Sequence, residues 1–186
     1  GGPAALLLAR EAAAKGLQTT VVSVSPTVPW QPRYAVWADE IEPYGLRSVL
    51  DPVYDVCEVR ADAERVHVLE RAYGRVDGAA LQQELVDGCM SAGVRVVEDR
   101  VLSVEHEADV THVGLGSQET LDTRVFVDAT GHGGNFIKYD GEPARTFQVA
   151  YGVIGEMEGD GLPPDDRMTL MDFTAIDETA AEDSED

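Results

Sequence analysis

Two glycine-rich turns limit the folds that this chain can adopt, and the first of them lies at its first residues. Gly1-Gly2-Pro3-Ala4-Ala5 precedes an apolar stretch of helical composition. The order matches the second half of a G-x-G-x-x-G/A turn, in which free backbone N–H groups and the positive end of a helix face the pyrophosphate of a dinucleotide. In this alignment Gly2 lets the backbone approach the phosphate, and Ala5 packs the helix against a strand. We expect the preceding glycine and strand to lie before residue 1.

The next residues have the order of helix and strand that such a turn requires. Ala4 to Lys15 is small and apolar and precedes Gly16, which is typical of a helix with a left-handed cap. Thr19 to Val24 is β-branched with little polar alternation, which predicts a strand covered on both faces in a parallel sheet. Dinucleotide folds often end this strand with an acidic residue that binds the ribose, but the candidates here are Ser23 and Ser25.

A second amphipathic helix is predicted from Asp77, ended by Gly93, and the next strand follows it directly. One apolar stripe should face the core. The stripe consists of Leu81, Leu85, Val86 and Met90, and the strand contains Val94, Val96 and Val97.

Three further strand-like stretches, joined by short polar turns, predict an antiparallel meander inserted in a βαβ fold. They are Val101 to Glu105, Val110 to Leu115 and Arg124 to Val127. The last runs into a second glycine-rich turn, Asp128-Ala129-Thr130-Gly131-His132-Gly133-Gly134. Two such turns are what a domain needs to hold FAD, an extended dinucleotide. We therefore predict an α/β fold of the FAD-binding, glutathione-reductase-like Rossmann type, with a parallel sheet and an antiparallel meander.

The residues after the second turn predict the start of a different, β-rich domain. Strand patterns recur at Phe147 to Ile154 and Met168 to Phe173, separated by a loop rich in Gly, Pro and Asp. Residues 177–186 carry six acids without apolar anchors, a composition typical of a disordered tail. We predict an FAD-binding domain over residues 1–140, the start of a substrate domain over 141–176, and a disordered acidic tail over 177–186.

Aromatic side chains and prolines are concentrated between Pro26 and Leu46, among them Trp30, Tyr34 and Trp37. Large aromatics near a cofactor turn can line an apolar pocket, and they can equally pack a long loop onto the sheet. Both interpretations stay open. Further along, Arg65 to Glu70 alternates as a strand open on one face does.

The charge is strongly acidic, with 35 acidic and 14 basic residues and a net charge of -21. We therefore expect no nucleic-acid partner, because phosphate backbones bind basic surfaces. Such a chain repels itself unless salt screens it, over about 10 Å at 0.1 M and about 3 Å at 1 M. Two hypotheses fit this composition: a halophilic, salt-adapted protein, or a generally acidic cytosolic protein with a disordered acidic tail.

The two cysteines, Cys57 and Cys89, are isolated and lack the spacing of a metal site. They are typical of buried small hydrophobes rather than of a disulfide. Together with the lack of an apolar run near 18 residues, they predict a cytoplasmic protein without a bound metal.

Six motifs, in order along the chain, resemble those of the lycopene cyclase family of flavoproteins. Gly2-Pro3-Ala4-Ala5 is similar to that family's cofactor turn, and Trp30 to Glu40 is similar to its Trp-Pro-Asn-Asn-Tyr-Gly-Val-Trp stretch with a following Asp-Glu. The other four are Tyr73 to Asp77, Asp128 to Gly133, Phe147 to Gly152 and Met168 to Phe173. The resemblance covers Gly1 to about Thr174. Another FAD-dependent monooxygenase, or a geranylgeranyl-reductase-like oxidoreductase of the same fold, is the alternative.

The resemblance implies a lycopene cyclase-like enzyme, which closes rings at the ends of lycopene or a related acyclic carotene without net redox change. It implies reduced FAD as cofactor, NAD(P)H as reductant and, since the substrate resides in bilayers, peripheral membrane contact. Cofactor contacts would come from Gly1, Gly2, Pro3, Ala4, Ala5, Val101, Asp128, Thr130, Gly131 and Gly133.

The resemblance identifies fewer catalytic residues than cofactor contacts in this chain. Asp172 is a candidate for orienting the catalytic acid or assisting proton transfer, or it caps the following loop. Trp30, Tyr34 and Trp37 are candidates for aromatic contacts near the flavin or polyene. The family's catalytic glutamate, in a Phe-Leu-Glu-Glu-Thr motif, is expected beyond residue 186. The sequence departs from the family at Gln31-Pro32-Arg33 and at Ala35, where the family has glycine.

Overall fold

The computed structural model describes residues 1–62, 64–131, 136–138, 140–141, 151–153, 155 and 167–174. The chain forms two compact units. Unit 1 comprises Gly1–Pro32 and Gly78–Ala150, and unit 2 comprises Arg33–Asp77 and Tyr151–Asp186. Both units are discontinuous in sequence, whereas the predicted division has one boundary near residue 140. That division stays a prediction, and the predicted tail at 177–186 lies outside the described residues.

In chain order the helices are α1 (Pro3–Ala14), α2 (Ala38–Ile41) and α3 (Gly78–Ser91). Short 3-10 turns occupy Glu42–Tyr44 and Arg47–Val49. The strands are β1 (Thr20–Ser23), β2 (Ala35–Trp37), β3 (Leu50–Tyr54), β4 (Val56–Arg60), β5 (Val66–Leu69), β6 (Tyr73–Val76), β7 (Arg95–Glu98), β8 (Val101–His106), β9 (Thr111–Leu115), β10 (Thr120–Thr123) and β11 (Arg167–Asp172).

Unit 1 contains the predicted parallel strands and the two helices that precede them. β1 and β7 pair in parallel, from Thr20 opposite Arg95 to Ser23 opposite Glu98. The predicted left-handed cap at Gly16 is confirmed, because its φ is 84°. Gly93, predicted only as the end of the second helix, has φ of 77° and adopts the same conformation, which glycine enters without steric cost. The core of this unit is the set Leu6, Ala9, Val21, Leu81, Leu85, Cys89, Val94, Val113 and Leu115.

The apolar stripe of α3 differs from the prediction at its end. Leu81 and Leu85 are buried, but the third buried residue is Cys89, and Met90 is 69% exposed. Steps of four residues advance about 40° around a helix, whereas a step of five advances about 140° and leaves the buried face. The cysteine therefore completes the stripe, and Met90 points to solvent.

The meander is confirmed as an antiparallel sheet of order β10-β9-β8, but its third strand is earlier than predicted. Thr120 to Thr123 pairs with Gly114 to Thr111 across a tight turn in which Gln118 has φ of 71°. The predicted strand Arg124–Val127 is wrong, since none of the described residues pairs with it. Its β-branched composition favours a strand, but strand structure requires a hydrogen-bonded partner.

The described residues of unit 2 form two three-stranded sheets. The sequence predicted strands in only one of them, at its two edges. The antiparallel sheet has the order β2-β6-β3, and the mixed sheet has the order β11-β4-β5, with β11 parallel to β4. β11 agrees with the strand predicted at Met168 to Phe173. β5 lies at a sheet edge, and all four of its residues are exposed. The prediction that this strand has only one exposed face is therefore wrong. Within the predicted strand Phe147–Ile154, residues 151–153 are described and lie outside strands.

Among the described residues, no helix combines the length and the apolar character that crossing a membrane requires.

Candidate functional site

The first glycine-rich turn lies where α1 begins. Gly2 is extended, with φ of -79° and ψ of 175°, and its carbonyl accepts the N–H of Leu6 at 3.1 Å. Pro3 occupies the first turn of the helix, where its lack of an N–H and its fixed φ are tolerated. In an α-helix the N–H groups before this first bond have no intrahelical acceptor. Those of Ala4 and Ala5 therefore form a donor end suited to an anion.

The two adjacent glycines of this turn have different surroundings. A Cβ added at Gly1 would collide with the hydroxyl of Ser23 and would lie 2.9 Å from the Ser23 Cβ, so the turn packs tightly on the end of β1. A Cβ added at Gly2 would meet no heavy atom of the described protein within 4 Å. Gly2 thus presents backbone to open space, and the residues present fit a phosphate approaching here.

One side chain from a distant loop binds this turn. The indole Nε1–H of Trp30 donates a hydrogen bond to the Gly1 carbonyl at 3.1 Å, across 29 residues of sequence. Ser23, which ends β1 at the predicted ribose position, accepts the N–H of Ser25 through its hydroxyl at 3.4 Å. No pattern in the sequence indicates the Trp30 contact.

The second turn is ordered by its own aspartate. Asp128 accepts hydrogen bonds from the N–H and the hydroxyl of Thr130, at 2.9 and 2.6 Å, and from the N–H of Phe136 at 3.2 Å. These bonds lower the pKa of Asp128, the hydroxyl of Thr130 contributing most. Gly131 has φ of 72°, a left-handed conformation that glycine favours. Gly133 lies outside the described residues.

Val101 begins β8, is half-buried and pairs with Leu115 of β9. Its predicted contact with the cofactor stays a prediction.

Trp37 belongs to a cluster in unit 2 that joins β2, β6 and α2. Its ring contacts Tyr73 edge-on, with centroids 4.9 Å apart, and the guanidinium of Arg71 lies 4.5 Å over its face. Arg71 also donates to both carboxylate oxygens of Asp39, at 2.8 to 3.1 Å, and to Glu40 at 2.9 Å. The hydrogen bond from Arg71 lowers the pKa of Asp39. One face of Trp37 is therefore already in contact with a cation.

The three aromatic candidates belong to different units. Trp30 is in unit 1, whereas Tyr34 and Trp37 are in unit 2. Tyr34 is half-buried, and its carbonyl accepts the N–H of Val76 at 2.9 Å. A shared role of these aromatics at one site stays a prediction.

Asp172, the candidate from the second domain, caps the end of β11. Its carboxylate accepts the N–H and the hydroxyl of Thr174 at 2.9 and 2.6 Å. These bonds, together with the charge of Arg60, lower the pKa of Asp172, and the hydroxyl of Thr174 is the largest cause. An exposed carboxylate with a lowered pKa is suited to accept hydrogen bonds and poorly suited to donate a proton.

A buried carboxylate in unit 2 was missed from the sequence. Glu58 of β4 is 3% exposed, and its Oε1 accepts bonds from Arg60 Nε at 2.8 Å and from Thr169 Oγ1 at 3.1 Å. Arg167 approaches Glu58 Oε2 at 3.7 Å. The hydrogen bond from Arg60 lowers the pKa of Glu58, so this carboxylate is ionised and ties β11 to β4. The only sequence signal is the spacing of Glu58 and Arg60 on one face of a strand.

Both cysteines are free and buried, as predicted. The thiol of Cys89 donates to the carbonyl of Leu6 at 3.2 Å, and that of Cys57 to the carbonyl of Arg71 at 3.7 Å. Burial raises the pKa of both thiols, so they are poor nucleophiles.

In comparison with known proteins, the family model of lycopene cyclase protein matches residues 1–184. The curated relatives include a chromoplastic capsanthin/capsorubin synthase from Capsicum annuum, 34% identical over 173 residues, and a chloroplastic lycopene beta cyclase from Arabidopsis thaliana, 33% identical over 174 residues. These matches cover 92% and 93% of this chain and 34% of each relative. The chain thus spans about a third of the length of the curated relatives it matches.

Solved structures support the fold. A geranylgeranyl bacteriochlorophyll reductase-like protein from Thermoplasma acidophilum is 20% identical with a TM-score of 0.52, and the match covers 67% of this chain and 35% of that one. A flavin-dependent brominase is 15% identical with a TM-score of 0.51, covering 66% of this chain and 34% of that one. At these identities the likeness concerns the fold alone, which is the FAD-binding fold predicted from the two turns.

Proposed function

Because the chain belongs to the lycopene cyclase family, we propose that the protein closes rings at the ends of an acyclic carotene such as lycopene, in carotenoid biosynthesis. The family match over residues 1–184 carries this proposal. The structure adds a donor end at α1 and an aspartate-ordered turn at Asp128, which are suited to a dinucleotide. The proposed cofactor is reduced FAD, kept reduced by NAD(P)H.

In the proposed site the phosphate contacts come from the chain's own backbone. Gly1, Gly2, Pro3, Ala4 and Ala5 form the first turn, where the open space at Gly2 and the free N–H groups of the helix start support the proposal. The second turn contributes Asp128, Thr130, Gly131 and Gly133, and Val101 contributes backbone beside the adenine. A bound reduced flavin would supply an electron-rich surface that stabilises positive charge on the substrate.

The acid that protonates the carotene is proposed to be the family's glutamate, expected beyond residue 186. Asp172 is assigned a supporting role, since its pKa is lowered and its carboxylate is occupied by Thr174. It can orient a neighbouring group as a hydrogen-bond acceptor. Of the aromatics, Tyr34 and the remaining surface of Trp37 are the candidates for contact with the polyene.

Mass spectrometry separates cyclisation from redox chemistry. The test uses the full-length protein, because the glutamate proposed as the acid is expected beyond residue 186. It is purified and incubated with lycopene in neutral lipid vesicles, FAD and NADPH, and the mass and the absorption spectrum of the carotenoid product are measured. We expect a cyclised isomer of unchanged mass. A product that gains hydrogen or oxygen, with stoichiometric NADPH oxidation, would instead identify a reductase or monooxygenase. Gly2→Asp is the matched negative control, because its carboxylate would occupy the open space and repel a phosphate.

Asp172 is tested separately with Asp172→Asn, which keeps the size of the side chain. We expect slower cyclisation with FAD affinity unchanged. Full activity would remove Asp172 from the mechanism and leave it as the cap of β11.

The proposed setting is cytoplasmic with peripheral contact at a membrane, because the proposed substrate dissolves in bilayers. The net charge of -21 disfavours anionic lipid surfaces. Binding to vesicles should therefore weaken as the share of anionic lipid rises.

A further inference from the structure

We propose that Trp30 is a positioning residue of the cofactor turn, whose indole N–H fixes the orientation of the Gly1–Gly2 peptide for a pyrophosphate. This inference rests on the proposed FAD binding and deepens it. In this role Trp30 acts through its indole N–H, whereas the sequence predicted an aromatic contact with the flavin or the substrate.

The Trp30 hydrogen bond orients a single peptide unit. A peptide bond is planar and trans, so its carbonyl and its N–H point in opposite directions. The carbonyl of Gly1 and the N–H of Gly2 belong to the same peptide. Because Trp30 Nε1 holds that carbonyl at 3.1 Å, the Gly2 N–H is directed to the opposite side.

This peptide needs a hydrogen bond from another part of the chain to hold its orientation. Glycine has the widest conformational freedom of all residues, and the Gly1–Gly2 pair would otherwise rotate readily. Ser23 restricts Gly1 on one side, but Gly2 has no neighbour within 4 Å of its would-be Cβ. The Trp30 bond removes the remaining rotation before a ligand arrives, and preorganisation of this kind improves affinity.

The loop that carries Trp30 is itself held in unit 1. Gln82 of α3 donates through Nε2 to the carbonyl of Val28 at 3.0 Å. Two hydrogen bonds therefore hold the loop, one to the cofactor turn and one to α3. A variant that removes the hydrogen bond to α3 leaves the bond to the turn in place, so it serves as a matched control.

The experiment compares binding of FAD, ADP and riboflavin to purified wild-type protein, Trp30→Phe and Gln82→Leu by calorimetric titration. Phenylalanine keeps an aromatic ring and removes the N–H. For Trp30→Phe we expect about fivefold weaker binding of FAD and of ADP, which carry a pyrophosphate, as the loss of one hydrogen bond predicts. Riboflavin, which has none, should bind unchanged, and Gln82→Leu should keep wild-type affinity for all three.

Several results would overturn the inference. Wild-type affinity of Trp30→Phe for FAD and ADP would show that the bond does not matter. Equal weakening for riboflavin, or the same loss in Gln82→Leu, would show a general effect of loop order. If Trp30→Phe folds poorly by circular dichroism, incorporation of 3-benzothienylalanine, in which sulfur replaces the indole N–H, provides the decisive variant.

The outcomes for the proposed function are separate. If the full-length protein binds FAD with the Trp30 dependence but yields no cyclised carotene, this inference stands and the proposed activity is wrong. If the wild-type protein binds neither FAD nor ADP, both the proposed function and this inference are wrong.

Discussion

The two units are stabilised by different kinds of interaction. The core of unit 1 is apolar, with Leu85 and Cys89 each 1% exposed, and its described ion pairs are partly or fully exposed, the Arg10 side chain being the most buried at 14%. Unit 2 buries Glu58 in a sheet beside Arg60 and binds Arg71 to two acids. It also holds 22 of the 35 acidic residues but only seven of the 14 basic ones. Unit 1 should therefore depend on packing, and unit 2 on charge.

Truncating the centre of α3 is the change with the largest expected effect. Leu85→Ala removes a fully buried side chain and leaves a cavity, which costs about 3 kcal/mol of the free energy of unfolding. Chemical denaturation with hydrogen exchange at α3 and β9 measures the loss. Met90→Ala is the matched control on the same helix, because Met90 is 69% exposed and should change stability by less than about 0.5 kcal/mol. Equal losses in the two variants would contradict a packed core in unit 1.

The same contrast explains which elements the sequence predicted. In unit 1 the helices and strands follow from local periodicity, and Gly16, Gly93 and Gly131 mark positions of positive φ. The third strand of the meander was misplaced because composition alone does not specify register. Local sequence patterns therefore predict that a helix or strand is present, whereas pairing with a neighbouring strand determines where a strand begins and ends.

In unit 2 and at the site, the decisive contacts are long-range. Glu58 meets Thr169 across 111 residues, and Arg71 meets Asp39 across 32. The strands β3, β4 and β6 carry no clean alternation, since β4 reads Val-Cys-Glu-Val-Arg. At the cofactor turn the glycines were readable, but the bond from Trp30 was not. Only three-dimensional structure shows such partners.

Salt concentration provides the next test, because salt screens interactions between charges and leaves the packing of apolar side chains unchanged. In molar KCl we expect a higher melting temperature than at low salt, since a screening length of about 3 Å suppresses repulsion among the acids. Hydrogen exchange should show greater added protection in β4 and β6 of unit 2 than in α3 of unit 1. Sucrose is the control, as it favours compact states without screening. Melting that does not respond to KCl would favour the hypothesis of a generally acidic protein over the halophilic one.

Removing the buried carboxylate has a smaller expected effect than Leu85→Ala. Glu58→Gln leaves Arg60 and Arg167 without their shared anion, but their side chains are 41% and 36% exposed, so water replaces part of the lost interaction. The pKa of Glu58 is lowered in the folded protein. Its contribution is therefore present above the ordinary carboxyl pKa of about 4.5 and is lost as pH falls through the lower folded pKa. Urea denaturation from pH 7 to pH 3 measures this dependence.

The matched control is Glu42→Gln, which breaks the pair with Arg47, in which both side chains are 47% exposed. This variant should change stability little at any pH. If it destabilises the protein as much as Glu58→Gln does, burial of the charge has no special role in unit 2.

The smallest expected effect has the opposite pH dependence and belongs to unit 1. His112 of β9 contacts Asp122 at 2.7 Å through Nδ1 and Glu107 at 3.5 Å through Nε2, and Glu105 lies opposite it in β8. The hydrogen bond to Asp122 raises the pKa of His112. Its stabilisation is thus fully present below the unfolded pKa of about 6.5 and is lost as pH rises through the higher folded pKa. His112→Gln should lower stability at pH 6 and have no such effect at pH 9.

A second variant tests whether this effect belongs to the pair. Asp122→Asn keeps the side chain's size and removes the charge that the protonated imidazole contacts, so it should cause the same loss at pH 6. The double variant should lose no more than either single one, since residues in one pair are not additive. Additive losses, or a loss that persists at pH 9, would show that the meander depends on packing of His112, as the rest of unit 1 depends on its apolar core.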